Sequence, residues 1–118
     1  MKKYLIYTAI ILSLPFLSSC NHDDSSQPYV KVFKYDGSIQ CESAGIELDV
    51  MALELINAGV DVVCSQKGHD GLLRAAACGI DTGYINIYKI HFSNLSDAQD
   101  LDFESVGELS EYQDEKCE

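Results

Sequence analysis

Gly68-His69-Asp70-Gly71 sets an imidazole beside a carboxylate, between two glycines. Imidazole titrates near neutral pH and a neighbouring carboxylate can orient it, so His69 and Asp70 have the residue types for proton transfer. Cys64 lies five positions earlier and could be the nucleophile such a base activates, with Asp70 or Asp81 as the orienting third group. The spacing specifies no such third group, however, and two glycines flanking polar residues also describe a plain turn. The stretch reads as an exposed loop whose His69 and Asp70 are candidate binding residues. A small hydrolase or thiol enzyme using them is an alternative function.

Asp81-Thr82-Gly83 is the triplet in which aspartic proteases carry a catalytic carboxylate, but the resemblance ends with the triplet. Tyr84 stands where a small residue normally follows, and no second half of that family's pattern is present. A turn feeding a strand explains the triplet without chemistry. His22, His69 and His91 are far apart, and neither a two-cysteine zinc spacing nor the twelve-residue order of an EF-hand occurs. With no Gly-rich phosphate cradle either, no metal and no cofactor are expected.

The amino-terminal segment is more specific. Lys2 and Lys3 precede an apolar run from Tyr4 to Leu17, interrupted by Pro15 and too short to span a bilayer comfortably, which is the layout of an export signal. Its end, Leu17-Ser18-Ser19-Cys20, resembles the lipobox of bacterial lipoproteins. That resemblance implies cleavage before Cys20, diacylglycerol on its thiol and acylation of the new amino terminus. Acyl chains contribute about 0.8 kcal/mol per buried CH₂, so two or three of them hold a protein durably at a membrane it does not cross. Asn21, where an Asp commonly signals inner-membrane retention, implies an outer-membrane address facing the periplasm.

Cleavage would leave Cys20 to Glu118. Losing Lys2 and Lys3 leaves six basic residues against nineteen acidic ones, a formal charge of −13. Such a field disfavours nucleic acid and anionic lipid surfaces and suits a basic protein partner. With Cys20 committed to lipid, Cys41, Cys64, Cys78 and Cys117 remain, an even number suited to two disulfides in an oxidising compartment. Four cysteines admit three pairings. The pairing expected here is Cys41 with Cys78 and Cys64 with Cys117, the second because an acidic tail has little else to hold it to a core.

Around these residues, positions 20–28 read as a polar tether and 29–118 as a single domain. Tyr29 to Tyr35 is β-branched and aromatic, and predicts a strand broken by Asp36-Gly37. Between Ile46 and Ala58, Leu48, Met51, Ala52, Leu55 and Ile56 recur at helical spacing, with Gly59 as the stop. Gly59 to Cys64 then reads as a buried strand, 65–71 as a polar loop, and Leu72 to Cys78 as an apolar segment of either kind. Tyr84 to Phe92 alternates strongly and predicts a strand, with Ile85, Ile87, Lys89 and His91 on one face. Ser96 and Gln99 could form a capping box for a short helix whose inner face holds Ala98, Leu101 and Phe103. From Asp97 onward nine acids face one basic residue, Lys116, which reads as a solvated, partly disordered tail. The order predicts an α+β fold, a small β-α-β-β-α sandwich stapled by two disulfides.

Gln40-Cys41, Ala58-Gly59-Val60-Asp61-Val62, Gly68-His69-Asp70-Gly71, Cys78-Gly79 and Gly83-Tyr84-Ile85-Asn86-Ile87-Tyr88 together resemble small bacterial envelope proteins. The resemblance implies a compartment and no activity, with Cys41 and Cys78 as a core bridge beside the His69-Asp70 loop. The reading that results is a membrane-anchored, non-enzymatic lipoprotein that binds a protein or an envelope component. An inhibitor of a cationic enzyme such as lysozyme is a second form of it, since charge would steer the encounter.

Overall fold

The computed structural model describes residues 28–117. The export signal, Cys20, most of the tether and His22 lie outside them. Five strands form one antiparallel sheet in the order β4-β1-β3-β2-β5: β1 Tyr29–Tyr35, β2 Cys64–His69, β3 Tyr84–His91, β4 Glu104–Ser105 and β5 Gln113–Asp114. Helix α1 (Leu48–Asn57) joins β1 to β2, and α2 (Leu95–Asp100) follows β3 after a single 3-10 turn. This is the expected α+β class, with both disulfides in the expected pairing, Cys41–Cys78 and Cys64–Cys117.

β3 is central because both of its faces are apolar. Tyr88 and Ile90 meet α1, Val32, Ala98 and Phe103 on one side, while Ile85 and Ile87 meet Phe33 on the other. Each fully buried side chain of this size contributes about 1.5–3 kcal/mol. Asn86 Nδ2 donates to Ile46 O (2.9 Å) and Tyr88 Oη to Leu48 O (2.6 Å), which fixes the start of α1 to the same strand. α1 buries Met51, Ala52 and Leu55 as its periodicity predicts, but Ile56 points outward with Val50 and Leu53.

Several local expectations are corrected. Gly59 to Cys64 is not a strand; the polar stretch after it is, since β2 runs Cys64–His69. The free edge of β3 supplies a complete backbone ladder from Cys64↔Lys89 to His69↔Tyr84, so a neighbour needs few apolar side chains. Gly68 suits that strand because a Cβ there would lie 2.5 Å from Gln113 O and 2.6 Å from Ile87 Cδ1. β1 and β2 flank β3, each antiparallel to it.

Leu72 to Cys78 is neither helix nor strand and lies on the surface. Both faces of the sheet already have covers, so no core remains for it to join. The acidic tail is ordered structure, although its described acids stay exposed to solvent as expected. Val106, Leu109 and Tyr112 cover Phe33, Ile85 and Ile87, a face that would otherwise be bare, and Cys117 ties the end to β2. The expected capping box is also not made: α2 begins at Leu95, with Asn94 rather than Ser96 at its cap and no side-chain bond closing it.

Candidate functional site

β1 and β2 run in the same direction and β3 runs against them, so the ends of the first two strands and the start of the third meet at one end of the sheet. Tyr35, Asp36, His69, Asp70, Thr82 and Tyr84 gather there. Asp70 N donates to Gly83 O (3.0 Å) and Asp36 N to Tyr84 O (3.1 Å), which places both acidic side chains beside the Asp81-Thr82-Gly83 turn.

Asp70 is buried and fully engaged. Arg74 Nη1 donates to its Oδ1 (2.8 Å) and Nη2 to its Oδ2 (2.7 Å), Leu72 N donates to Oδ1 (3.0 Å), and Tyr35 Oη donates to Oδ2 (2.9 Å). The Arg74 hydrogen bonds hold the carboxyl well below the usual carboxylate range, outweighing the opposing effect of burial. The same pairing holds the guanidinium charged, and burial with the Asp70 contact pushes the Tyr35 phenol up. The third donor of Arg74, Nε, reaches Asp81 Oδ2 (2.7 Å).

Asp36 forms a second, separate cluster. It accepts from Ser38 N (2.8 Å), Ser38 Oγ (2.6 Å) and Lys67 Nζ (3.0 Å), and Ser38 Oγ also bonds Thr82 Oγ1. Burial is the largest single influence on its pKa and raises it, but the Ser38 and Lys67 bonds together overcome that and leave the pKa below the usual carboxylate value. Asp36 and Asp81 therefore each hold a different cation, which is unlike a carboxylate pair sharing one proton.

His69 is locked in place. Gly71 N donates to its Nδ1 (2.9 Å), so the proton sits on Nε2, which donates to Thr82 O (2.9 Å). Nδ1 lies 3.6 Å from Asp70 Oδ1, too far for a hydrogen bond, and its lone pair is already used. The structure thus brings His69 and Asp70 to one site but joins them to other partners, and Cys64 is in a disulfide at the far end of β2. His91 stands at that end too, its ring tilted against that of Tyr29 with centroids 4.7 Å apart.

Comparison with protein-family models, curated proteins and solved structures finds no match.

Two features stand out beyond the predicted residues. Arg74 is the sole arginine of the chain and organises the cluster; its spacing of four from Asp70 was the available signal. On another part of the surface a cleft of about 370 Å³ opens beside α2 and β4, lined by Asp102, Glu104 and Glu108 with no basic residue among its walls. No group of three His, Cys, Asp or Glu side chains among the described residues is arranged to hold a metal ion.

Proposed function

We propose that this chain is a bacterial lipoprotein, anchored through lipid on Cys20 at the periplasmic face of the outer membrane, whose domain binds a basic protein partner without catalysing a reaction. The lipobox-like Leu17-Ser18-Ser19-Cys20 supports the anchor, and two disulfides fit an oxidising compartment.

The observation that carries the binding role is a contrast between two sets of acids. Asp36, Asp70 and Asp81 each hold a cationic side chain of the protein itself. Asp102, Glu104 and Glu108 form no ion pair among the described residues and face an open cleft, where a cationic partner would find unspent charge. The hydrogen bonds that occupy both nitrogens of His69 favour this reading over a hydrolase.

The test is a pull-down from envelope extract with the anchored protein at low and high salt, beside the Asp102→Asn, Glu104→Gln, Glu108→Gln triple variant. A basic protein captured at low salt, released at high salt and weakened by the variant is the expected result. Capture that ignores both salt and the variant refutes it. Cys20→Ala should in parallel abolish labelling by palmitate.

A further inference from the structure

Residues 71–77 cross the surface without regular structure, and their composition is unusual for an exposed segment: Leu72, Leu73, Ala75, Ala76 and Ala77 all face solvent. Leu73 is as exposed as a side chain can be, at 101 % of its reference area, and Leu72 is 55 % exposed. An apolar loop of this kind is ordinarily mobile. Here it is braced from both sides.

On its amino-terminal side Leu72 N is held by Asp70, and Arg74 Nη1 donates to Leu72 O (3.2 Å) while gripping Asp70 itself. On its carboxy-terminal side the Gln40 amide donates to Ala75 O (3.0 Å) and accepts from Ala77 N (3.1 Å). The Gln40 backbone bonds Ile80 O and Gly79 N, and the neighbouring Cys41 is bridged to Cys78. Between these two anchorages, the N–H and C=O groups of Leu73 find no partner among the described residues.

We propose that the 71–77 loop is a substrate-like insertion loop that occupies the active-site cleft of an endopeptidase with an apolar primary pocket, with Leu73 entering that pocket. The inference rests on the reading of the domain as a protein binder, and gives that partner a class. Three observations select this occupant. A prearranged segment with free backbone donors and acceptors is what a peptide-binding cleft pairs with, and prior bracing removes the ordering cost of binding. A bilayer would have to desolvate the same unpaired groups, which hydrocarbon does not tolerate, and the acidic domain is repelled by anionic lipid.

The third observation concerns the peptide bond between Leu73 and Arg74. Arg74 reaches back across that bond to Asp70 and to Leu72 O, so hydrolysis there would leave the two new ends tied together by the same contacts. Disulfide Cys41–Cys78 holds the outgoing side. The loop would be cut slowly and would stay in the cleft when cut, which distinguishes an inhibitor from a substrate.

The test measures hydrolysis of chromogenic peptides by elastase, chymotrypsin and trypsin, whose primary pockets are respectively small and apolar, large and apolar, and acidic. The full chain and its Leu73→Asp, Leu73→Arg and Leu73→Trp variants are compared after confirming equal thermal midpoints; Leu73 touches no core, so folding is retained. Inhibition of elastase or chymotrypsin is expected, weakened at least about 30-fold by Leu73→Asp, as for a central anchor residue, with Leu73→Arg moving inhibition to trypsin. Absence of inhibition of both apolar-pocket enzymes, inhibition indifferent to Leu73, or rapid cleavage at Leu73-Arg74 would each overturn it. The chain contains no tryptophan, so Leu73→Trp reports the loop alone. A blue shift with phosphatidylcholine vesicles would assign the loop to a bilayer and overturn the proposal too. A salt-sensitive envelope partner with no peptidase inhibition would sink the loop assignment alone; Leu73-dependent inhibition with no such partner would sink the acidic-cleft reading alone.

Discussion

Arg74 closes on Asp70 with two bonds, one to each carboxylate oxygen, of 2.8 and 2.7 Å from four residues further along the chain, although no helix joins them. The pair is a hinge-pin between sheet and loop. Its carboxylate is buried at the end of β2, and its guanidinium spans to Asp81 before β3. A buried ion pair of this kind is costly to desolvate but far costlier to break.

Arg74→Met is therefore expected to destabilise the domain by about 3–5 kcal/mol, because it strands a buried carboxylate. The Asp70→Asn, Arg74→Met double variant should recover part of that loss. Urea denaturation of the four members of the cycle measures it; additive losses would show that the two side chains are not coupled.

Acid sensitivity follows from Asp70 and Asp36, whose carboxyls both ionise below their ordinary range in the folded protein. A folded pKa below the unfolded value of about 3.9 gives stabilisation that is complete above that value and is lost as pH falls from there through the folded values. Each carboxylate adds a slope of at most about 1.4 kcal/mol per pH unit in that window and nothing near neutrality. Asp70→Asn should flatten the acid limb of the urea midpoint against pH. Parallel curves for the two proteins would contradict this assignment.

The two disulfides are expected to fail differently. By loop closure each contributes about 4 kcal/mol, the Cys64–Cys117 bridge spanning 53 residues and Cys41–Cys78 spanning 37. Replacing Cys64 and Cys117 by Ser should free the tail, bare Phe33, Ile85 and Ile87, and raise binding of a hydrophobic dye. Replacing Cys41 and Cys78 should lower stability without that dye response. A thiol titration of the denatured, unreduced protein should find none of these four cysteines free.

Gly71 and Gly37 both have positive φ, at +82° and +76°, but only one is crowded. A Cβ at Gly71 would collide with the backbone carbonyl of Glu111, whereas one at Gly37 meets nothing within 4 Å. Gly37→Ala should cost about 1 kcal/mol for the left-handed backbone, and Gly71→Ala clearly more, since tail and loop must separate. Thermal midpoints of the two variants settle the order.

The elements with a clear apolar period were legible in the sequence: β1, α1 and β3 stand where their patterns put them. β2 was not, because a strand that borrows its ladder from a buried neighbour needs little apolar character of its own; Ser65, Lys67 and Gly68 read as a loop. The tail misled in the same way. Its charges are dense enough to suggest disorder, while Val106, Leu109 and Tyr112, spaced at three, are what the bare face of the sheet requires. At the site, His69 and Asp70 were legible as a place but not as a pair: the His69 partner, Thr82 O, comes from a segment that only the fold brings near, and Arg74, though four residues from Asp70, closes on it from an irregular loop that no periodicity marks.

The placement of β3 between β1 and β2 also dictates an order of assembly. β1 and β2 are not paired with each other; each pairs with residues 84–91, the last of these three segments to leave the ribosome. Most of the sheet's contacts are thus between distant parts of the chain, the arrangement that folds slowly. The amino-terminal half cannot close this sheet by itself, and a chain built this way stays threadable until β3 has been delivered.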